Sequence, residues 1–248
     1  MTKIGLIIGH GLIFDENIVD CKEHLLETPY GMPSTTILTG VIGNTEVALL
    51  YRHGANGTIP AFSVNYRANL FVLHDLGCSH ILATSQCGSL QEEICVGEFV
   101  IFDQFIDLSK HRELSFTDKL PLEILNHSAF NKPFSDEIRD CLIEASVMLG
   151  CTIHTKGTVL AVDGPRQSTR AESNLFRKWG ADLVNTTTAP EAILAHELGI
   201  KYGAISLCTY YDTWRTDIDP ATREEKQLVT SINASRMREI ISMAISKL

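Results

Sequence analysis

Five polar stretches, each just after an apolar run, hold the side chains best suited to chemistry. They are "GHG" (residues 9–11) after "KIGLII", "RHG" (52–54) after "EVALLY", "TSQCGS" (84–89) after "HILA", "NTTTAPE" (185–191) after "ADLV", and "TYYD" (209–212) after "AISLC". In open α/β sheets, ligands bind beyond the carboxyl ends of strands, so five such ends can converge on one cleft. Their chemistry is that of an anion site. Arg52 offers a planar fork of donors and His53 a second donor. Gly9 and Gly11 let backbone N–H groups approach an oxyanion, and Ser85, Thr187 and Thr188 supply hydroxyls. "TTTAPE" opens a helix whose amino end favours negative charge. The plainer alternative for Arg52 is a surface ion pair. Beyond the last strand stands Asp212, an acid preceded by two tyrosines.

Other chemistries fail on spacing. "GHGLIF" lacks the third glycine of a dinucleotide loop, and no GxxxxGK[ST] occurs. "TSQCG" is not GxSxG, and there is no HExxH. Nine histidines without ligand spacing argue against a metal site.

The elements that must position these residues alternate. Strands are expected at "KIGLIIG", at "TILTGVI" and "EVALLYR" as a hairpin across Gly43 and Asn44, and at "HILATS", "EFVIFDQFI", "TKGTVLAV", "ADLVN" and "YGAISLC". Helices are expected within "FSVNYRANLFVLHDLG" and in "SDEIRDCLIEASVMLG", with Ser135 as cap and Gly150 as stop. Two more follow in "APEAILAHELG", with Pro190 in the first turn, and in the long amphipathic C-terminal segment. No linker or repeat divides the 248 residues, so 1–248 reads as one α/β domain.

A net charge of −9 argues against nucleic acid or an anionic membrane as the main partner. No stretch approaches 18 continuous apolar residues, and the opening "MTKIGLIIGHG" reads as a strand rather than a leader. Seven cysteines form no CxxC pair, which suggests reduced thiols in the cytoplasm.

The stretches "ETPYGMPS", "RHG", "VNYRANL", "CGSLQEEICVGEFVIFDQFID", "DGPRQSTRAES", "FRKWGAD" and "TTTAPEAILAHELGI" resemble, in order and over nearly the whole chain, the 5′-methylthioadenosine phosphorylases of the trimeric purine nucleoside phosphorylase group. The resemblance implies a single α/β domain with a mixed central sheet flanked by helices, assembled as a homotrimer. It implies reversible phosphorolysis for purine salvage: phosphate attacks the anomeric carbon, releasing the base and a pentose 1-phosphate. Inorganic phosphate is then the co-substrate, with no cofactor or metal. Arg52, His53 and Thr187 match the family's phosphate residues, and Asp212 matches the second acid of its base-binding pair. His127 aligns with a histidine that reaches a neighbouring subunit's 5′ pocket.

The pocket departs from the family pattern where the scaffold does not. His10 replaces a phosphate-binding Thr, and Ser85 another, followed by Gln86 instead of Ala. Gln167 replaces an aromatic beside the base, Thr186 a Met under the sugar, and Tyr210 the first acid of the base pair. The chain is also expected to lack the apolar segment that closes the 5′-methylthio pocket in longer members. A phenol stays neutral and cannot stabilise a protonated N7 as a carboxylate does, so Asp212 would carry the acid role alone. Tyr211 is expected in the core. A bound anion would raise the pKa of His10. The favoured expectation is a phosphorylase with an altered nucleoside preference, weak on 5′-methylthioadenosine. A nucleoside hydrolase and a non-catalytic nucleoside-binding relative are the alternatives.

Overall fold

Ile4, Leu6 and Ile8 of the first strand, β1 (Lys3–Ile8), face one helical layer while Ile7 faces the other. Burial on both faces is why the apolar runs are nearly continuous rather than alternating. The computed structural model describes residues 2–248. After β1 come β2 (Val19–His24), β3 (Ile37–Ile42), β4 (Thr45–Tyr51), α1 (Tyr66–Asp75), β5 (His80–Ser89), β6 (Phe99–Ile101) and β7 (Gln104–Asp107). The second half holds α2 (Asp136–Met148), β8 (Ile153–His154), β9 (Thr158–Ala161), α3 (Arg170–Lys178), β10 (Leu183–Asn185), α4 (Thr188–Glu197), β11 (Lys201–Tyr211) and α5 (Arg223–Ile245). The result is a single α/β domain. Its mixed sheet runs β2-β3-β4-β1-β5-β10-β9-β7, with β11 on β5, then β6 and β8. Residues of α1 and α4 pack into one core beside the sheet, and those of α2 and α5 into the other.

Most expected elements are present. The hairpin turns at Gly43, whose φ is +60°, with Ile42 opposite Thr45. The helix stop at Gly150 also has positive φ. Four readings need correction. Ser135 is the N-cap of α2 but its side chain makes no capping hydrogen bond. "EFVIFDQFI" is two strands, β6 pairing with β11 and β7 with β9. β5 and β11 continue through the polar "TSQCGS" and "TYY", so Ser85, Gln86 and Tyr210 lie within strands rather than in loops after them. Tyr211 is not in the core: it is half-buried, edge-on to Trp214, with the Arg215 guanidinium 4.6 Å from its ring centroid. Three further elements are additions, the exposed β2, the two-residue β8 and the capped helix α3.

Candidate active site

The site begins as a gap in the sheet. One edge of β5 pairs with parallel β11 along its length. The other edge pairs with parallel β1 from His80 to Ala83, then with antiparallel β10 at Gly88 and Ser89. Between them, at residues 84–87, no strand occupies that edge among the described residues. The ends of β1 and β10 enter from opposite directions, bringing 9–11 and 185–188 to the same notch. Strand divergence of this kind is where α/β sheets bind ligands.

Arg52 follows β4 into this notch and is 1% exposed. Its fork does not face an open cleft: Nε and Nη2 both donate to the carboxylate of Glu191, the latter at 2.8 Å, and Nη1 donates to the Thr84 carbonyl at 2.7 Å. Tyr202 Oη donates to Glu191 at 2.8 Å. Burial alone would lower the Arg52 pKa, but the charge and hydrogen bonds of Glu191 outweigh it and raise it. The ion pair is therefore buried, not on the surface. Two guanidinium N–H groups remain uncommitted. Gly9 is what admits this arrangement, since a Cβ there would lie 3.0 Å from the Thr84 carbonyl oxygen and 3.1 Å from Arg52 Nη1. Its own N–H donates to Thr84 Oγ1 at 2.9 Å and is not free for an oxyanion.

His53 is buried and stacked on His10, with ring centroids 3.8 Å apart and planes 8° from parallel. The Ile59 carbonyl, 2.9 Å from His53 Nδ1, can only accept, so Nδ1 carries a proton. Burial, then Arg52 and His10, hold the His53 pKa down at about 3. His10 keeps an exposed edge, yet its pKa is also lowered, first by removal of water and then by Arg52 and Arg223. Both lowered values leave the two rings neutral at pH 7.

Ser85 Oγ donates to Ser206 Oγ on β11 at 3.0 Å. Gln86 reaches the other way, donating to Thr230 Oγ1 of α5 at 2.8 Å and to the His10 carbonyl at 3.3 Å. Thr187 is the buried N-cap of α4, and its side chain makes no capping hydrogen bond, which leaves the hydroxyl available to a ligand. Arg112 holds the preceding turn by donating to the Thr186 carbonyl.

The far end of the site is built by a bulge. Cys208 pairs with Cys87 but Tyr210 pairs with Gly88, so one extra residue re-aims the Tyr210 side chain. A Cβ on Gly88 would sit 2.5 to 2.9 Å from Cζ, Cε2 and Oη of that ring, so only glycine admits it. Lys226 Nζ lies 3.9 Å from the ring centroid. Burial, then Asp212 nearby, raises the phenol pKa, so Tyr210 stays neutral. Asp212 is 2% exposed and neither carboxylate oxygen has a hydrogen-bond partner. Ser168 and Ser173 hydroxyls stand near enough to pull its pKa down, though outside hydrogen-bonding geometry, and both are also unpartnered. Burial is the larger effect and raises the Asp212 pKa. Gln167 is exposed and lines a cavity of about 370 Å³ with Asp212 and Tyr211.

The fold thus gathers His10, Arg52, His53, Ser85, Gln86 and Thr187 at one end and Tyr210, Asp212 and Gln167 at the other. His127 is exposed on the segment before α2 and forms no hydrogen bond or ring contact with them. Sequence reading missed Glu191, Ser168, Ser173 and Lys226. For the two serines a signal existed, the T-x-x-E capping box of α3 (Thr169, Glu172), which Ser168 and Ser173 flank. Glu191 pairs with Arg52 across 139 residues, which no local pattern reveals.

Residues 3–246 match the family model of the phosphorylase superfamily. The S-methyl-5′-thioadenosine phosphorylase of Ciona intestinalis is 40% identical over 246 residues, covering 98% of this chain and 88% of the relative. That of Danio rerio is 40% identical over 249 residues, covering 100% and 89%. A solved structure of methylthioadenosine phosphorylase from Schistosoma mansoni, in complex with adenine, superposes with a TM-score of 0.92 at 34% identity, covering 99% of this chain and 91% of that one. The chain belongs to the phosphorylase superfamily, in its methylthioadenosine phosphorylase family, and is a pentosyltransferase of the purine nucleoside phosphorylase type.

Proposed function

We propose that the protein cleaves a purine nucleoside by phosphorolysis, with a base preference shifted away from 6-amino purines. The full-length match to the family, joined to an intact Arg52–His53–Thr187 end, carries the reading. A phosphate oxygen attacks C1′ as the C1′–N9 bond breaks, and that bond's electron pair leaves with the base. Protonation at N7 neutralises the base, and Asp212, whose pKa burial raises, is suited to share that proton. Arg52 and Thr187 orient the phosphate, with Ser85 and Gln86 on the open edge of β5. His53 and His10 donate once protonated. Thr186 lies under the sugar and Gln167 beside the base. Residues 1–248 act as one unit within a homotrimer, with the exposed His127 turned to a neighbour's sugar pocket. We place this purine-salvage step in the cytoplasm, where seven free thiols stay reduced. No helix among the described residues is long and apolar enough to cross a membrane.

Hydrolysis is the second reading, favoured by one observation. The cavity beside Gly9, His10, Ser85 and Gln86, closed by Leu207 and by Thr230 and Met237 of α5, has about 20 Å³, room for a water rather than phosphate. Base release from a nucleoside panel, with and without phosphate, separates the two. Phosphorolysis requires release to depend on phosphate and saturate with it; equal release without phosphate would assign a hydrolase.

A further inference from the structure

Lys226 stands in the first turn of α5, half-buried, with its ammonium against the Tyr210 ring. Among the described residues its ammonium forms no hydrogen bond or salt bridge, and Asp212 is the nearby charge that opposes the effect of burial. Burial lowers its pKa, whereas an ion-paired lysine's would rise. Asp212 in turn feels Lys226 without bonding to it. A half-buried cation on the Tyr210 ring and an enclosed carboxylate two residues beyond that tyrosine thus stand at the same end of the site with no hydrogen bond between them, each lacking a hydrogen-bond partner among the described residues.

Two unpartnered groups of opposite sign, held apart, suit a ligand whose edge offers an acceptor to one and a donor to the other. We infer that Lys226 selects the base: its ammonium and the Asp212 carboxylate clamp a purine that presents an acceptor at position 6 beside the N7–H that forms as the base departs, a 6-oxopurine. This rests on the reading of the site as one for purine nucleosides. Ammonium has three donors and no acceptor, so a 6-amino group would set donor against donor and leave a desolvated charge unpaired. A 6-oxo group accepts from it. Tyr210 cannot reverse that preference, because a neutral phenol lacks the charge of a second carboxylate. Its ring instead holds the ammonium in place through a cation–π contact, and Gly88 leaves room for the ring.

The test is calorimetric binding of hypoxanthine and adenine to the wild type, Lys226→Met and Lys226→Arg, beside kcat/KM for the matching nucleosides in phosphate. The wild type should favour hypoxanthine by roughly 10- to 100-fold, the range for a hydrogen bond to a charged group. Lys226→Met should bring the ratio within a few-fold of unity, and Lys226→Arg should keep most of it. A wild type that prefers adenine overturns the inference. So does a ratio unchanged in Lys226→Met, even if discrimination among 5′ substituents has moved. Base binding needs neither phosphate nor turnover. A lysine-dependent hypoxanthine preference without phosphate-dependent release would sink phosphorolysis and leave this inference standing; release without the preference would do the reverse.

Discussion

Replacing Glu191 with Gln tests how Arg52 is held. Both residues are 1% exposed, and the carboxylate accepts from Arg52 Nε, Arg52 Nη2 and Tyr202 Oη. Gln preserves the volume but removes the charge and turns an NH₂ donor toward one of those donors. The guanidinium then stays buried without a counter-charge, and breaking a buried pair from one side costs about 3–5 kcal/mol. For a chain of this size that corresponds to a fall in Tm of about 6–20 °C. Arg52→Met strands the carboxylate and should cost a similar amount. The double variant Arg52→Met/Glu191→Leu removes both charges and should recover most of the loss, since replacing a buried pair by apolar groups is often near neutral. Urea unfolding of the wild type, Arg52→Met, Glu191→Leu and the double variant gives the coupling directly. Single losses below about 1 kcal/mol, or strictly additive ones, would refute the buried-pair account. The double variant should fold yet lose phosphate-dependent turnover, which separates Arg52's part in binding from its part in stability.

Sulfate, a dianion across the range, should bind more tightly as pH falls from 8 to 6. Burial and Arg52 hold His53 near 3, with its single neutral-state proton given to Ile59, so donation to an anion requires a second proton. A bound anion raises that pKa, so binding takes up protons, and the affinity should change by up to about tenfold per pH unit. Calorimetry showing a flat profile would contradict this. Gly88→Ala should cost about 1–3 kcal/mol by driving a Cβ into Tyr210, a cost that should vanish in a Tyr210→Ala background when both are measured by unfolding. Asp212→Asn should lower kcat by about 10²–10³-fold, and Tyr210→Phe by less. The reverse order in steady-state kinetics would move the acid role away from Asp212.

Much of this site was legible because strand ends are local events. Strands end at Ile8, Tyr51 and Asn185, and Gly9, Arg52, His53 and Thr187 stand within two residues of those ends. The reading failed where pairing overrides local pattern. β5 and β11 stay extended through polar residues because they hydrogen-bond to each other out to Ser89 and Tyr211. Among the described residues β2 is an exposed edge strand that pairs only with β3, so its polar "VDCKEH" carries no apolar signature. The commitment of Arg52 to Glu191 and the unpaired state of Lys226 depend on elements far apart in sequence. The position of Arg52 could be read; the direction of its fork could not.

The central claim is transfer to phosphate, and the sugar product tests it most directly. A 6-oxopurine nucleoside is incubated with enzyme and phosphate in ¹⁸O-labelled water, and the sugar is analysed by mass spectrometry. The account predicts pentose 1-phosphate with no label at C1. Free pentose formed in place of pentose 1-phosphate would show that water, not phosphate, is the nucleophile, and would contradict it.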